Sequence, residues 1–164
     1  MIWLILRTLI SGIIILYIQV LMMPTLAVLG NIPVLFLGWI VYQVWSKPLS
    51  ILLPILFVLG VCFDLTMPHM LGLQTLVFVL LAIGVDEINK PLEKESFISM
   101  LITLGLVNII YALAMFLVYG IQSGFGGKLW LSLLIMLPYN AIVSVIVCSI
   151  YVFLSRLKLD FNHG

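Results

Sequence analysis

Charge is what this chain has least of. Asp, Glu, Lys and Arg make up 8% of its 164 residues, and hydrophobic residues make up 65%, whereas an ordinary soluble domain is about 25% charged. With a mean hydropathy of +1.36 and no polar stretch long enough to fold by itself, there is nowhere to hide a soluble domain. An integral membrane protein is the class that remains. The net charge of +1 comes mostly from residues between apolar runs. The basic face that nucleic-acid binding needs in order to displace counterions is therefore missing. Cysteine is scarce as well. Cys62 and Cys148 lie in separate apolar runs without metal or redox spacing, and read as small hydrophobic packing residues. No internal repeat or low-complexity tract is visible. The opening stretch MIWLILRTLISGIIILYIQV is too long for a signal-peptide core and has no small-x-small cleavage site after it, so it is expected to stay as a first span.

What is present is apolar length. A helix rises 1.5 Å per residue and a hydrocarbon core is about 30 Å thick, so about 20 apolar residues make a span. Six segments are expected, near residues 2–22, 26–45, 49–63, 68–85, 97–119 and 129–154, with breaks at MMPT, SKPL, DLTM, DEINKPLEKES and GIQSGFGGK. The fold class this predicts is an all-α, six-transmembrane-helix bundle in a single membrane domain. An even number of spans puts both termini on one side with the second and fourth connections. That side holds Arg7, Lys47, Lys90, Lys94, Arg156 and Lys158, and the other holds only Lys128. The asymmetry predicts cytoplasmic termini and a cytoplasmic DEINKPLEKES loop. Arg7 can snorkel from the end of the first span.

Lipid tails are as apolar as leucine, so helices in a bilayer must associate through close packing and polar contacts. Asn108 and Asn140 each stand twelfth in their spans and fall near the midplane, where an inter-helix hydrogen bond between them, worth about 0.6 kcal/mol, is expected in preference to a transport site. Pro138 frees a backbone carbonyl one turn earlier and is expected to kink the sixth span.

The material for catalysis is thin. An intramembrane aspartyl peptidase needs two carboxylates at one depth. Asp64 has none, because Asp86, Glu87, Glu93, Glu95 and Asp160 all fall on the cytoplasmic side. Ser123 lies in a connection with only His69 on its own side, short of an activated nucleophile. Asp64 and His69 together offer two metal ligands where a tight site needs three or four. GFGG at 124–127 lacks the Lys-Ser/Thr and the flanking strand and helix of a phosphate loop, and reads as a turn. No catalytic residue, cofactor or metal site is expected.

Asp64, in GVCFDLTMPHMLG, has two readings. As a structural residue it ends the third span at the outer rim and accepts the Thr66 or Met67 N–H in an Asx-turn. Thr66 then caps the next helix, Pro68 occupies its first turn, and Gly72 allows close helix approach. As a functional residue it contacts a partner or ligand, since intramembrane carboxylates are functional candidates by default.

In the stretch Ile32–Phe78, Pro33 opens the second span, Trp39 and Tyr42 lie within it, Lys47 stands at its turn, and Gly60, Asp64-Leu65 and Leu71-Gly72 follow. This pattern resembles the rod-shape-determining MreD family of bacterial cell elongation. Length, six spans and the PYNA of Pro138 to Ala141 (with Asn140) extend it over essentially the whole chain. Pro68 departs from the small residue that many members carry. The resemblance implies a non-enzymatic subunit of the bacterial inner membrane that binds MreC, a single-span protein with a periplasmic coiled coil. Through it the subunit would support a RodA-type glycan polymerase, a class B penicillin-binding transpeptidase and the actin-like MreB. It also implies a fold similar to the substrate-binding components of energy-coupling-factor vitamin transporters, and that similarity supplies an alternative function. Against the alternative, span one has Ser11 and Gly12 adjacent and no Ala-xxx-Ala, and the outer connections offer few groups to hold a polar vitamin: Asp64, Thr66, His69, Gln74, Gln122 and Ser123.

Overall fold

The computed structural model describes residues 2–28, 30–66, 71–90 and 97–161. These form α1 (Ile2–Leu21), a short 3-10 turn at Met23–Leu26, α2 (Leu35–Ser46), α3 (Leu49–Asp64), α4 (Leu73–Asn89), α5 (Phe97–Ser123) and α6 (Gly127–Phe161). No strand occurs among the described residues. Three helical segments, Ile2–Leu21, Ile98–Ser123 and Gly127–Ser155, are long and apolar enough to cross a membrane, and two shorter apolar helices, Leu35–Ser46 and Leu49–Asp64, lie among them. The surface fits that setting. Ile13, Ile14, Phe57, Leu76, Leu113, Ile142 and Phe153 are exposed, an outward-facing apolar coat that water would penalise and lipid does not.

The helices are arranged around α2. It packs against all five others, and every residue from Leu35 to Val41 is buried. Its aromatic face forms the centre of the core. The Phe36 ring stacks on Phe78 of α4 at 5.1 Å, meets Phe63 of α3 at 5.8 Å and abuts Trp39 edge-on at 5.9 Å. Close approach depends on missing side chains. A methyl group on Gly60 of α3 would lie 2.7 Å from the Thr75 Cα of α4, and one on Gly38 of α2 would collide with the Ser144 backbone of α6. Such small-residue contacts are how helices associate where lipid offers no hydrophobic drive.

The expected second span, 26–45, needs correction, because its first half is not α-helical. Only Leu35–Ser46 forms α2. Before it the chain makes the 3-10 turn and a tight reversal in which Val28 and Asn31 exchange backbone hydrogen bonds at 3.0 and 2.9 Å, with Gly30 at φ 85°. Pro33 contributes no N–H, and Gly30, Asn31 and Pro33 together favour reversal over helix. Hydropathy alone registers this stretch as apolar. The fourth helix also starts later than the expected 68, at Leu73, and runs on to Asn89. α5 and α6 extend past the expected 119 and 154 to Ser123 and Phe161.

A helix that begins at Leu35 exposes orphan N–H groups in an apolar setting, and each one left unpaired is costly. Two helices supply the partners. Gln19 of α1 accepts the Leu35 N–H at 2.7 Å and donates to the Pro33 carbonyl at 2.9 Å, while Asn140 of α6 accepts the Val34 N–H at 3.0 Å. At the far end of α2, the Lys47 ammonium donates to the Thr8 hydroxyl of α1. One level deeper, Trp39 and Gln43 donate to Ser11 at 3.2 and 3.3 Å. The bundle thus has a Lys47 end and an Asp64 end.

Candidate functional site

At the Asp64 end, α3 hands over to α4 through a corner whose one charge is buried. Asp64 is 1% exposed. One carboxylate oxygen accepts the Gly72 N–H at 3.1 Å, the Thr75 N–H at 3.0 Å and the Thr75 hydroxyl at 2.5 Å, and the other accepts the Gln74 N–H at 3.0 Å. Four donors converge on the carboxylate, three of them crowding one oxygen while the other accepts one. Three of those donors belong to the first turn of α4, where the helix dipole also favours a negative charge. Asp64 is therefore the N-terminal cap of a helix other than its own. Gly72, at the N-cap position with φ 86°, brings no capping side chain, and its left-handed backbone is one that glycine adopts without strain.

This corrects the expected corner. The Asx-turn to Thr66 is not made, because the Thr66 N–H goes to the Phe63 carbonyl at 3.0 Å, and Met67 lies outside the described residues. Nor does Thr66 cap α4. Its hydroxyl donates to the Phe63 carbonyl at 2.6 Å and closes the last turn of α3. Pro68 and His69 lie outside the described residues. Gly60 faces Thr75, so the residue that lets α3 and α4 touch and the residue that ties them lie one turn apart.

Beside the corner lies a cavity of about 360 Å³, bounded by the 30–34 segment, the end of α3 and parts of α4, α5 and α6. Its polar lining includes Gln19, Asn31, Gln74, Tyr111, Tyr119 and Ser132, and among the described residues none of its lining side chains is charged. Gln74 joins corner to cavity. Its backbone is held by Asp64, and its side-chain amide pairs with the buried Tyr111 hydroxyl at 3.3 Å. Asn31 accepts from Ser132 at 2.7 Å, and its own amide NH₂ is buried without a partner. Tyr139 of α6 donates to the Leu26 carbonyl at 2.5 Å. A concave, mostly apolar space with a few convergent hydrogen-bonding groups is the usual form of a binding site.

The remaining sequence candidates are distributed through the bundle. Pro33 is buried, with its carbonyl bound by Gln19. Asn108 and Asn140 are both buried but are not hydrogen-bonded to each other. Asn108 donates to the Leu104 carbonyl of its own helix at 2.8 Å and accepts from Ser144 of α6 at 3.3 Å, while Asn140 caps α2. The α5–α6 contact thus forms one helical turn beyond Asn140. Pro138 lies inside α6, which continues through it. Cys148 is buried in packing as expected, whereas Cys62 faces outward. Gln19, Thr75, Tyr111 and Ser144 are functional members of these networks that sequence reasoning passes over. The signal available for them is a polar side chain within an apolar run.

The Lys47 end is basic. Burial, and then the neighbouring Arg7 charge, push the Lys47 ammonium down to about 8. Lys90, which is fully exposed, is raised by its hydrogen bond to Glu87, the one ion pair among the described residues. No group of three His, Cys, Asp or Glu able to hold a metal occurs among the described residues.

No family model, curated protein or solved structure matches the chain.

Proposed function

We propose that the chain is a six-span, non-enzymatic subunit of the bacterial inner membrane that serves the cell-elongation machinery. In this reading it acts as MreD does, with the Lys47 end cytoplasmic and the Asp64 end outward. The observation that carries the reading is the coincidence of motif and construction. Gly60, Asp64 and Gly72, on which the resemblance rests, are the residues that build the α3–α4 corner, and the corner sets one wall of the outward cavity through Gln74. An uncharged wall of amides and hydroxyls suits the backbone of a partner's polypeptide, which brings N–H and C=O groups of its own. A membrane-adjacent segment of MreC is the partner expected there. RodA-type polymerase, class B transpeptidase and MreB are engaged through or alongside it. Asp64, buried and held by four donors from the start of α4, serves as a support for that surface.

Co-purification in detergent with coexpressed MreC tests the reading. Recovery well above that of an unrelated single-span protein is expected, with Ser132→Trp, which fills the cavity, reducing it while the bundle keeps its thermal stability. Recovery at the control level sinks the proposal. The cavity also favours a second reading, the substrate-binding component of an energy-coupling-factor vitamin transporter, in which case its uncharged lining selects a neutral solute. A small molecule co-purifying stoichiometrically, and displaced by Ser132→Trp, would decide for that reading.

A further inference from the structure

α1 and α6 each pack on α2 but share no substantial interface with each other. Between them runs an open apolar groove of about 600 Å³, lined by Ser11, Ile14 and Ile18 of α1 and Val143, Ile146, Ile150 and Leu154 of α6, with Leu35 at its floor. The α1 wall follows one helical stripe. Ser11, Ile14 and Ile18 are spaced by three and four residues, and four residues before Ser11 the same stripe reaches Arg7. The α6 wall is also one stripe, with Ile146, Ile150 and Leu154 at four-residue intervals. Lys47 is brought to the same end by its hydrogen bond to Thr8, the neighbour of Arg7. Two cations from different elements are thus set side by side, and neither has a carboxylate partner among the described residues. Like charges held together without a counter-ion repel. An apolar groove that ends in a basic mouth at the edge of the bilayer has the shape and charge of a phospholipid.

We propose that the α1–α6 groove binds an anionic phospholipid, with its headgroup phosphate on Arg7 and Lys47 and an acyl chain along Ser11, Ile14, Ile18, Ile146 and Ile150. The stretch from Arg7 to Ile18 rises about 16 Å, close to the thickness of one leaflet's hydrocarbon, so the chain of one lipid covers this wall. The inference goes beyond the elongation reading and does not depend on it.

The test uses the full-length protein, purified in mild detergent and returned to nanodiscs of phosphatidylcholine alone or mixed with phosphatidylglycerol. Retained lipid is counted by native mass spectrometry. Phosphatidylglycerol is expected to be retained in preference and to raise the thermal midpoint. The double variant Arg7→Gln/Lys47→Met is expected to lose about thirty-fold in that preference, the factor for two basic side chains at an anionic surface. Lys47→Arg keeps the preference, and Ile146→Trp, which fills the groove, lowers retention of both lipids. Equal retention of the two lipids, or a preference unchanged in the double variant, overturns the proposal. Inorganic phosphate reproducing the stabilisation in lipid-free micelles would mean that the mouth binds free phosphate, and overturns the lipid assignment. A co-purifying single-span protein that cross-links to residue 146 would replace the lipid with a helix.

Discussion

Asp64 illustrates how a residue that looks costly in a membrane becomes structural once its donors are placed. Its oxygens accept from four groups, so replacement by Asn leaves an amide NH₂ facing at least one N–H. Asp64→Asn is expected to destabilise by about 1–3 kcal/mol, the cost of a buried donor without an acceptor. Asp64→Ala, which abandons all four donors, should exceed that. Unfolding in mixed micelles across a denaturing-detergent series measures both. Asn milder than Ala, with both below the parent, is the expected order. Lys47 has the opposite character. Its folded value near 8 lies below the ordinary 10.5, so between those pH values the unfolded chain binds more protons and stability rises with pH. Below about 8 the lysine is charged in both states and the penalty is fully present. Thermal midpoints in neutral detergent should therefore climb from pH 8 towards 10.5, and Lys47→Met should flatten the climb. At this scale the sequence shows which residues are anomalous but not what satisfies them. Asp64 and Asn140 stand out in apolar runs, whereas the first turn of α4 and the Val34 N–H lie in other elements, at a register that no local pattern encodes.

Helices were legible where apolar length and breakers agree. α1 and α3 end within one residue of the expected 22 and 63, because MMPT and DLTM interrupt the runs there. The first half of the expected second span, before α2, was not legible, because a hydropathy window cannot distinguish an apolar helix from an apolar reversal whose polar backbone is satisfied by distant side chains. Removing those side chains one at a time checks that account. Gln19→Ala and Asn140→Ala are each expected to cost about 1 kcal/mol, the scale of a lost helix cap, and to shorten α2 as seen by hydrogen exchange at residues 35–38. Glycines divide in the same way. Gly60→Ala and Gly38→Ala push a methyl into a neighbouring backbone and are expected to cost about 1–3 kcal/mol. Gly84→Ala and Gly105→Ala, with nothing within 4 Å, should be neutral or stabilising by up to about 1 kcal/mol, since alanine is the better helix former. Equal effects at all four sites would remove close helix approach as the explanation.

For the whole molecule, the charge asymmetry makes a topological expectation that can be read directly. In a background with Cys62→Ser and Cys148→Ala, a membrane-impermeant thiol reagent applied to intact cells should label Lys128→Cys and spare Lys90→Cys. Labelling of both, or of Lys90→Cys alone, would reverse or break the six-span arrangement. The class of the molecule, helical and membrane-embedded, follows from composition because a chain this poor in charge has no other medium in which its surface is tolerable. The cavity does not follow, since its walls are drawn from six separate stretches of chain whose meeting depends on α2 starting late.

The support of α2 has a consequence for biogenesis. Asn140 reaches Val34 across 106 positions of chain, so the Val34 N–H at the start of the central helix gains this partner only once α6 has been made. The ribosome must pass Asn140 before that end of α2 is fully capped. Until then the nascent chain holds an open helix end in the bilayer, which membrane proteases and insertases are able to recognise. A chain truncated before Gly127 should be inserted and then degraded, with a pulse-chase lifetime much shorter than that of the full-length protein.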